Sequence, residues 1–163
     1  MLYWNDQYKK KIILPQNWVK TSKDLKNAGR SIVTLNGSFD LLHAGHMQIL
    51  FEASQQGDVL IVALNSDHSI KTYKSFNRPI ISLDNRLKLI AALEFVDFIT
   101  WFDETDPICF LEAIKPHIHV NGAEYGENCI ESNTVKKYGG KVYLVNRLPE
   151  LSTSEIIEKI KKL

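Results

Sequence analysis

Asn36-Gly37-Ser38-Phe39-Asp40-Leu41-Leu42-His43-Ala44-Gly45-His46 joins two segments of different period. Before it, Ser31 to Leu35 is a short run centred on Ile32, Val33 and Leu35, the pattern of a buried strand. After it, Ala44 to Gln55 carries apolar residues at helical spacing, and Gly57 follows as a stop signal. A strand that passes into a helix through a glycine-bearing turn is the first half of a βαβ unit. In an open α/β sheet such a turn lies at the carboxyl end of the strand, where ligands bind.

Outward from this turn the alternation repeats. Val59 to Leu64 is almost unbroken in its hydrophobicity, as expected of a central strand covered on both faces. Asn65 to Asn77 is polar, bears Lys71 and Lys74 and has no period, which predicts a loop; Pro79 then holds an extended approach to Ser82. Ser82 caps a helix running to about Phe95, and Val96 to Trp101 is a third strand. Asp106-Pro107 opens a helix that stops before Pro116, His117 to Val120 is a fourth strand, and Asn121 to Glu127 is a loop. A short helix ends at Gly139-Gly140, Lys141 to Val145 is a fifth strand, and Ser152 with Glu155 has capping-box spacing at the start of a last helix. The order predicts an α/β fold, a Rossmann-like doubly wound sandwich around a five-stranded, mainly parallel sheet. Residues 31–163 form that domain, and residues 1–30 form an N-terminal extension, partly helical.

The 163 residues are enough for one core. Twenty basic and nineteen acidic side chains leave a net charge of +1, which lacks the one-signed field of a nucleic-acid binder. Cys109 and Cys129 have no thiol or histidine at ligand spacing, so both read as reduced thiols and no metal site is expected. No run approaches the ~20 apolar residues of a membrane span, and Ile12 to Pro15 is too short for a secretory core. A cytoplasmic protein with small-molecule partners, no nucleic acid and no membrane, is the expectation.

The turn itself holds the chemistry. Helix-start amides and the positive end of the helix dipole attract phosphate oxygens, and Gly45 omits a Cβ where a phosphate chain would press on the backbone. His43 and His46, three apart, project from one side of the first turn, so two imidazoles face one anion. Either histidine alone reads most simply as a polar cap at a helix edge, and a zinc pair lacks further ligands. The joint spacing with strand, glycines and helix start favours a phosphate clamp. Nucleotidyl transfer needs such donors, because negative charge grows on the equatorial oxygens of the attacked phosphorus.

The run G-S-F-D-L-L-H-A-G-H is similar to the signature of the cytidylyltransferase-like superfamily. Further segments resemble its heptose-1-phosphate adenylyltransferase branch: Asn65-Ser66-Asp67, Lys74, Asn77-Arg78-Pro79, Arg86, Asp103-Glu104-Thr105-Asp106-Pro107 and Ser152-Thr153-Ser154. The resemblance implies that His43 and His46 contact a triphosphate and stabilise its transition state, with Lys74 neutralising phosphate charge from its loop. It implies nucleotide contacts at Ser38, Phe39 and Gly45, and at Arg86, although a helical arginine is more often surface-paired. Asn121 and Gly122 border the nucleotide, and Ser152, Thr153 and Ser154 hold the β- and γ-phosphates while also serving as a helix cap. Tyr125 has two readings, a base stack and an edge-of-core side chain.

The resemblance further implies ATP and a heptose 1-phosphate as substrates, in lipopolysaccharide core synthesis, with Mg2+ carried in on the triphosphate. It leaves a homodimer open. In many bacteria this domain follows a sugar kinase; none is present in this chain, so the expectation is a stand-alone form served by a separate kinase. Asn121 and Glu124 stand where that branch reads lysine and aspartate in V-K-G-G-D-Y. Arg147 takes a place that an arginine holds in glycerol-phosphate cytidylyltransferases, where it helps bind nucleotide. CTP with an alcohol phosphate is therefore the alternative pair.

Overall fold

A computed structural model describes residues 3–126, 128–146 and 152–163. After a helix α1 (Trp4–Lys9), a 3-10 turn at Pro15–Asn17 and α2 (Trp18–Asn27), strands alternate with helices. The order is β1 (Ile32–Gly37), α3 (Ala44–Ser54), β2 (Val59–Asn65), α4 (Asp67–Tyr73), α5 (Leu83–Ala91) and β3 (Phe98–Phe102). Then come α6 (Ile108–Ile114), β4 (Ile118–Gly122), a 3-10 turn at Ala123–Tyr125, α7 (Ser132–Lys137), β5 (Lys141–Val145) and α8 (Thr153–Ile160). The five strands form one sheet in the order β3-β2-β1-β4-β5, and every pairing is parallel. The doubly wound α/β architecture is thus as the sequence predicts, with no antiparallel strand among the described residues.

Successive residues of a strand point to opposite faces, and the core divides accordingly. Val33, Leu35, Leu60, Val62 and Leu64 pack with Leu50 of α3 and Leu87 and Ile90 of α5. On the other face, Ile32, Val59 and Ile61 pack with Phe110, Leu111 and Ile114 of α6 and Val135 of α7. Two covered faces explain why all seven residues of β2 are buried. The segment before β1 joins the second cluster. Ile13 donates its amide to Ile99 at the β3 edge, and Trp18 donates its indole N–H to Thr100 Oγ1 at 2.7 Å while standing edge-on to Phe110. No helix among the described residues is long and apolar enough to cross a membrane.

Three local readings need correction. The stretch from Asn65 to Asn77 contains helix α4, capped by Ser66, whose Oγ accepts the Ser69 amide at 3.1 Å, and anchored by fully buried Ile70. One buried apolar side chain in a polar stretch is too little to register as a period. Ser82 occupies the N-cap position of α5 without capping it, and Asp67 Oδ1 accepts the Leu83 amide instead. Gly57 serves close approach rather than a helix stop: a Cβ there would lie 2.8 Å from Val33 Cγ2.

His119 sits fully buried on β4 beside β1, with Nδ1 2.9 Å from Thr34 Oγ1. Burial lowers its pKa from 6.5 to about 4. A proton there favours the unfolded chain, so His119's contribution is fully present above pH ~6.5, falls as the pH drops through that value, and is gone near pH ~4. We predict that chemical denaturation at a series of pH values will show stability falling by about 3 kcal/mol over this window from His119 alone. His119→Gln should flatten that part of the profile; an unchanged slope would remove the histidine as its cause.

Candidate active site

The sheet's connections run one way from β1 through β2 to β3 and the other way to β4 and β5, so β1 and β4 flank the switch point. Pairing of β1 with β4 stops at Leu35 and Val120, whereas β1 stays paired with β2 as far as Gly37. The two strands therefore part over Asn36 and Asn121. A cleft of about 690 Å³ opens there, walled by the β1 turn, the start of α3, the end of α4, the β4 end and the start of α8.

The β1 turn is tightly shaped. Phe39 is buried with φ +48°, in the left-handed region that non-glycine residues rarely enter. Its ring packs edge-on against His46 at 5.2 Å. A Cβ on Gly37 would stand 3.1 Å from the Phe39 ring, so glycine permits this inward fold. Asp40, almost fully buried, accepts hydrogen bonds from the Ile80 and Ile81 amides at 2.8 and 2.9 Å and from Arg78 Nε at 2.6 Å. Burial pushes its carboxyl up, but those two amides and the guanidinium outweigh burial and hold it below the usual range.

His43 is the N-cap of α3: its Nδ1 accepts the His46 amide at 3.4 Å, which places the proton of the neutral ring on Nε2. The His43 and His46 rings stack at 3.8 Å with a 24° tilt. Opposite them, Ser152 caps α8 by accepting the Glu155 amide at 3.1 Å, and Thr153 Oγ1 donates to Leu41 O at 3.4 Å, which ties α8 to the β1 turn. Lys74, at the C-cap of α4, carries its ammonium 5.5 Å from the centre of the Tyr73 ring, and Tyr73 OH lies 2.6 Å from Ser38 Oγ. Packing around the Lys74 ammonium, then the charge of Arg78, lowers its pKa.

Of the residues singled out in the sequence, Ser38, Phe39, His43, Gly45, His46, Lys74, Asn121, Gly122, Ser152, Thr153 and Ser154 line this one cleft. Arg147 lies outside the described residues. Arg86 needs correction. It is fully buried and away from the cleft wall, donating from Nε to Ile81 O, from Nη1 to Ser38 O and Asn65 O, and from Nη2 to Asp67 Oδ1. The guanidinium's fork is spent on the scaffold. Tyr73, Glu131 and Asn146 also line the cleft and were missed. Tyr73 was missed because α4 was; the others carry no local spacing that marks them.

An all-parallel sheet with a donor-rich cleft at its switch point defines a doubly wound α/β protein. The chain belongs to the cytidylyltransferase-like family, whose pattern matches residues 34–159. It is 40% identical over 86% of its length to a protein named bifunctional protein HldE from Alcanivorax borkumensis, and 44% identical over 81% to one of the same name from Trichlorobacter lovleyi. The chain spans 30% and 27% of those relatives. Among solved structures, a lipopolysaccharide core biosynthesis protein from Thermoplasma volcanium is 30% identical with a TM-score of 0.60, covering 74% of this chain and 98% of that one. Pantoate-beta-alanine ligase from Francisella tularensis, 16% identical with a TM-score of 0.64 over 93% of this chain and 78% of that one, shares the fold. Its family places the chain among the nucleotidyltransferases.

Arg86→Lys should lower stability by about 2–4 kcal/mol, because one ammonium cannot replace the four contacts that the buried guanidinium makes. Denaturant unfolding measures this, and a loss below about 0.5 kcal/mol would contradict the scaffold role.

Proposed function

We propose that this chain transfers AMP from ATP to D-glycero-β-D-manno-heptose 1-phosphate, releasing pyrophosphate and forming ADP-heptose for lipopolysaccharide core synthesis. One observation carries the reading: the His43–His46 pair and the capped start of α8 face a single cleft at the β1–β4 switch point. The resemblance to the heptose branch and the likeness to a 30%-identical protein named for lipopolysaccharide core biosynthesis support the acceptor.

In this reading the ATP triphosphate lies between the two helix starts. The α8 amides and the hydroxyls of Ser152, Thr153 and Ser154 hold the β- and γ-phosphates, while Lys74 and the histidines surround the α-phosphate. A phosphate oxygen of the sugar attacks the α-phosphorus, the bond from that phosphorus to the bridging oxygen breaks, and pyrophosphate leaves with the bond's electrons. Imidazole N–H groups and the Lys74 ammonium bind the charge that grows on the equatorial oxygens. No protein nucleophile takes part. A magnesium ion would be carried in by the nucleotide's own phosphates. Such an ion would screen the phosphate charge and ease departure of pyrophosphate. Arg147, in the place that an arginine holds in glycerol-phosphate cytidylyltransferases, supports a second reading, a cytidylyltransferase acting with CTP on glycerol 3-phosphate or another alcohol phosphate; Asn121 and Glu124, which depart from the branch pattern, leave the base open to it.

Pyrophosphate release measured with ATP and CTP, each crossed with heptose 1-phosphate and glycerol 3-phosphate, separates the two. ATP with heptose 1-phosphate should turn over fastest, and silence with all four pairs would sink the enzyme reading. His43→Ala and His46→Ala should each cut kcat by about 10²-fold or more with the fold intact. A double variant that keeps its turnover refutes the role given to the pair.

A further inference from the structure

We propose that Glu131 is the residue that reads the nucleoside of the bound nucleotide, its carboxylate held in place by Asn121 to accept hydrogen bonds from O–H or N–H donors of that nucleoside. The proposal rests on the nucleotide-binding reading above and assigns a specificity determinant to the same cleft.

Glu131 stands at the N-cap position of α7, yet its side chain makes no cap bond. It is only 6% exposed, and it lines the cleft beyond the end of β4. Among the described residues no lysine or arginine pairs with it. One side-chain hydrogen bond comes from Asn121 Nδ2 to Oε2, at 3.3 Å. The orientation of that amide is set by the backbone: Asn121 Oδ1 accepts the Gly122 N–H at 3.0 Å, so Nδ2 must face the carboxylate. Burial, then the Glu131 charge and the hydrogen bond that the thiol gives to its carboxylate, push the Cys129 thiol up and keep it a neutral neighbour. A carboxylate removed from water and met by two neutral donors, the Asn121 amide and the Cys129 thiol, has acceptor capacity left over.

The charge of Glu131 decides what fills that capacity. A triphosphate or sugar phosphate would be repelled, so the anionic part of the ligand belongs at the histidines and α8, and a neutral donor-bearing part belongs here. Tyr125 and Ile130, both largely exposed, line the same cleft and offer apolar surface for a flat ring. A nucleoside meets both demands. Its donors to a carboxylate are the ribose hydroxyl pair and the exocyclic amino group, which are chemically alike in this role.

Equilibrium titration of the full chain with ATP, 2′-deoxyATP and inosine triphosphate, without any acceptor, reads binding independently of turnover; CTP, 2′-deoxyCTP and UTP form the parallel series. Wild type should bind the parent nucleotide more tightly than one of its analogues. Glu131→Gln, checked by its melting curve to be folded, should weaken parent binding about tenfold and erase that preference. Loss of discrimination against the deoxy analogue assigns the ribose, and loss against the analogue without the amino group assigns the base. In turnover, the nucleotide KM should rise while kcat changes less than about threefold. A Glu131→Gln chain with wild-type affinities and preferences overturns the proposal, as does an effect confined to the acceptor's KM or a wild type that binds neither ATP nor CTP. Nucleotide binding without turnover would overturn the reaction assigned above and leave this inference standing.

Discussion

The fully buried guanidinium of Arg86 is the constraint on which the cleft depends. Its donors reach the carbonyl of Ser38 after β1, the carbonyl of Asn65 at the end of β2, the carbonyl of Ile81 before α5, and the Asp67 carboxylate at the start of α4. These are the carboxyl ends of two neighbouring strands and the starts of two helices, the places where backbone carbonyls and amides run out of regular partners. A buried charge with one partner missing would cost several kcal/mol, so the four segments can shift only together. Asp40 repeats the device with opposite sign, binding two amides and Arg78 from the segment that follows α4. Two buried ions with complementary partner sets thereby fix the β1 turn from behind.

With its back fixed, the turn can hold a conformation that it would not adopt alone. Phe39 keeps a positive φ because its buried ring packs against His46 and because Gly37 leaves room for it. The result is a histidine pair stacked at the opening of α3, at the place where β1 and β4 lose their pairing. Pre-set geometry matters in phosphoryl chemistry, since donors already aimed at the developing charge need no reorganisation during the reaction.

Much of this was legible in the chain. Strands buried on both faces and helices of strong period announced the doubly wound fold, and the turn between β1 and α3 announced the site, because strand, glycine, histidine spacing and helix start are all local signals. What was not legible depends on contacts distant in sequence. Nothing around Arg86 says that Ser38, 48 positions away, will take its hydrogen bond, so a helical arginine beside a phosphate motif looked like a ligand contact. Helix α4 escaped notice because a serine cap and one buried isoleucine stabilise it rather than an apolar stripe. Glu131 likewise gains its meaning from Asn121 across the β4 loop.

The net charge of +1 conceals a division that orders the cleft. Asp40 also lines it, but Arg78 and two amides already neutralise that carboxylate, so the β1 end presents imidazoles, the Lys74 ammonium and helix-start amides. Glu124 and Glu131 occupy the β4 end without a lysine or arginine partner among the described residues. A phosphate placed 4 Å from such a carboxylate would lose about 4 kcal/mol at an effective dielectric of about 20, more than a good hydrogen bond returns. The same triphosphate gains at the β1 end. Under the function proposed above, a nucleotide would lie in this cleft with its phosphates on α3 and α8 and its nucleoside toward β4. The α-phosphorus is then left at the histidines, and the orientation that chemistry requires follows from where the carboxylates are, as much as from where the cations are.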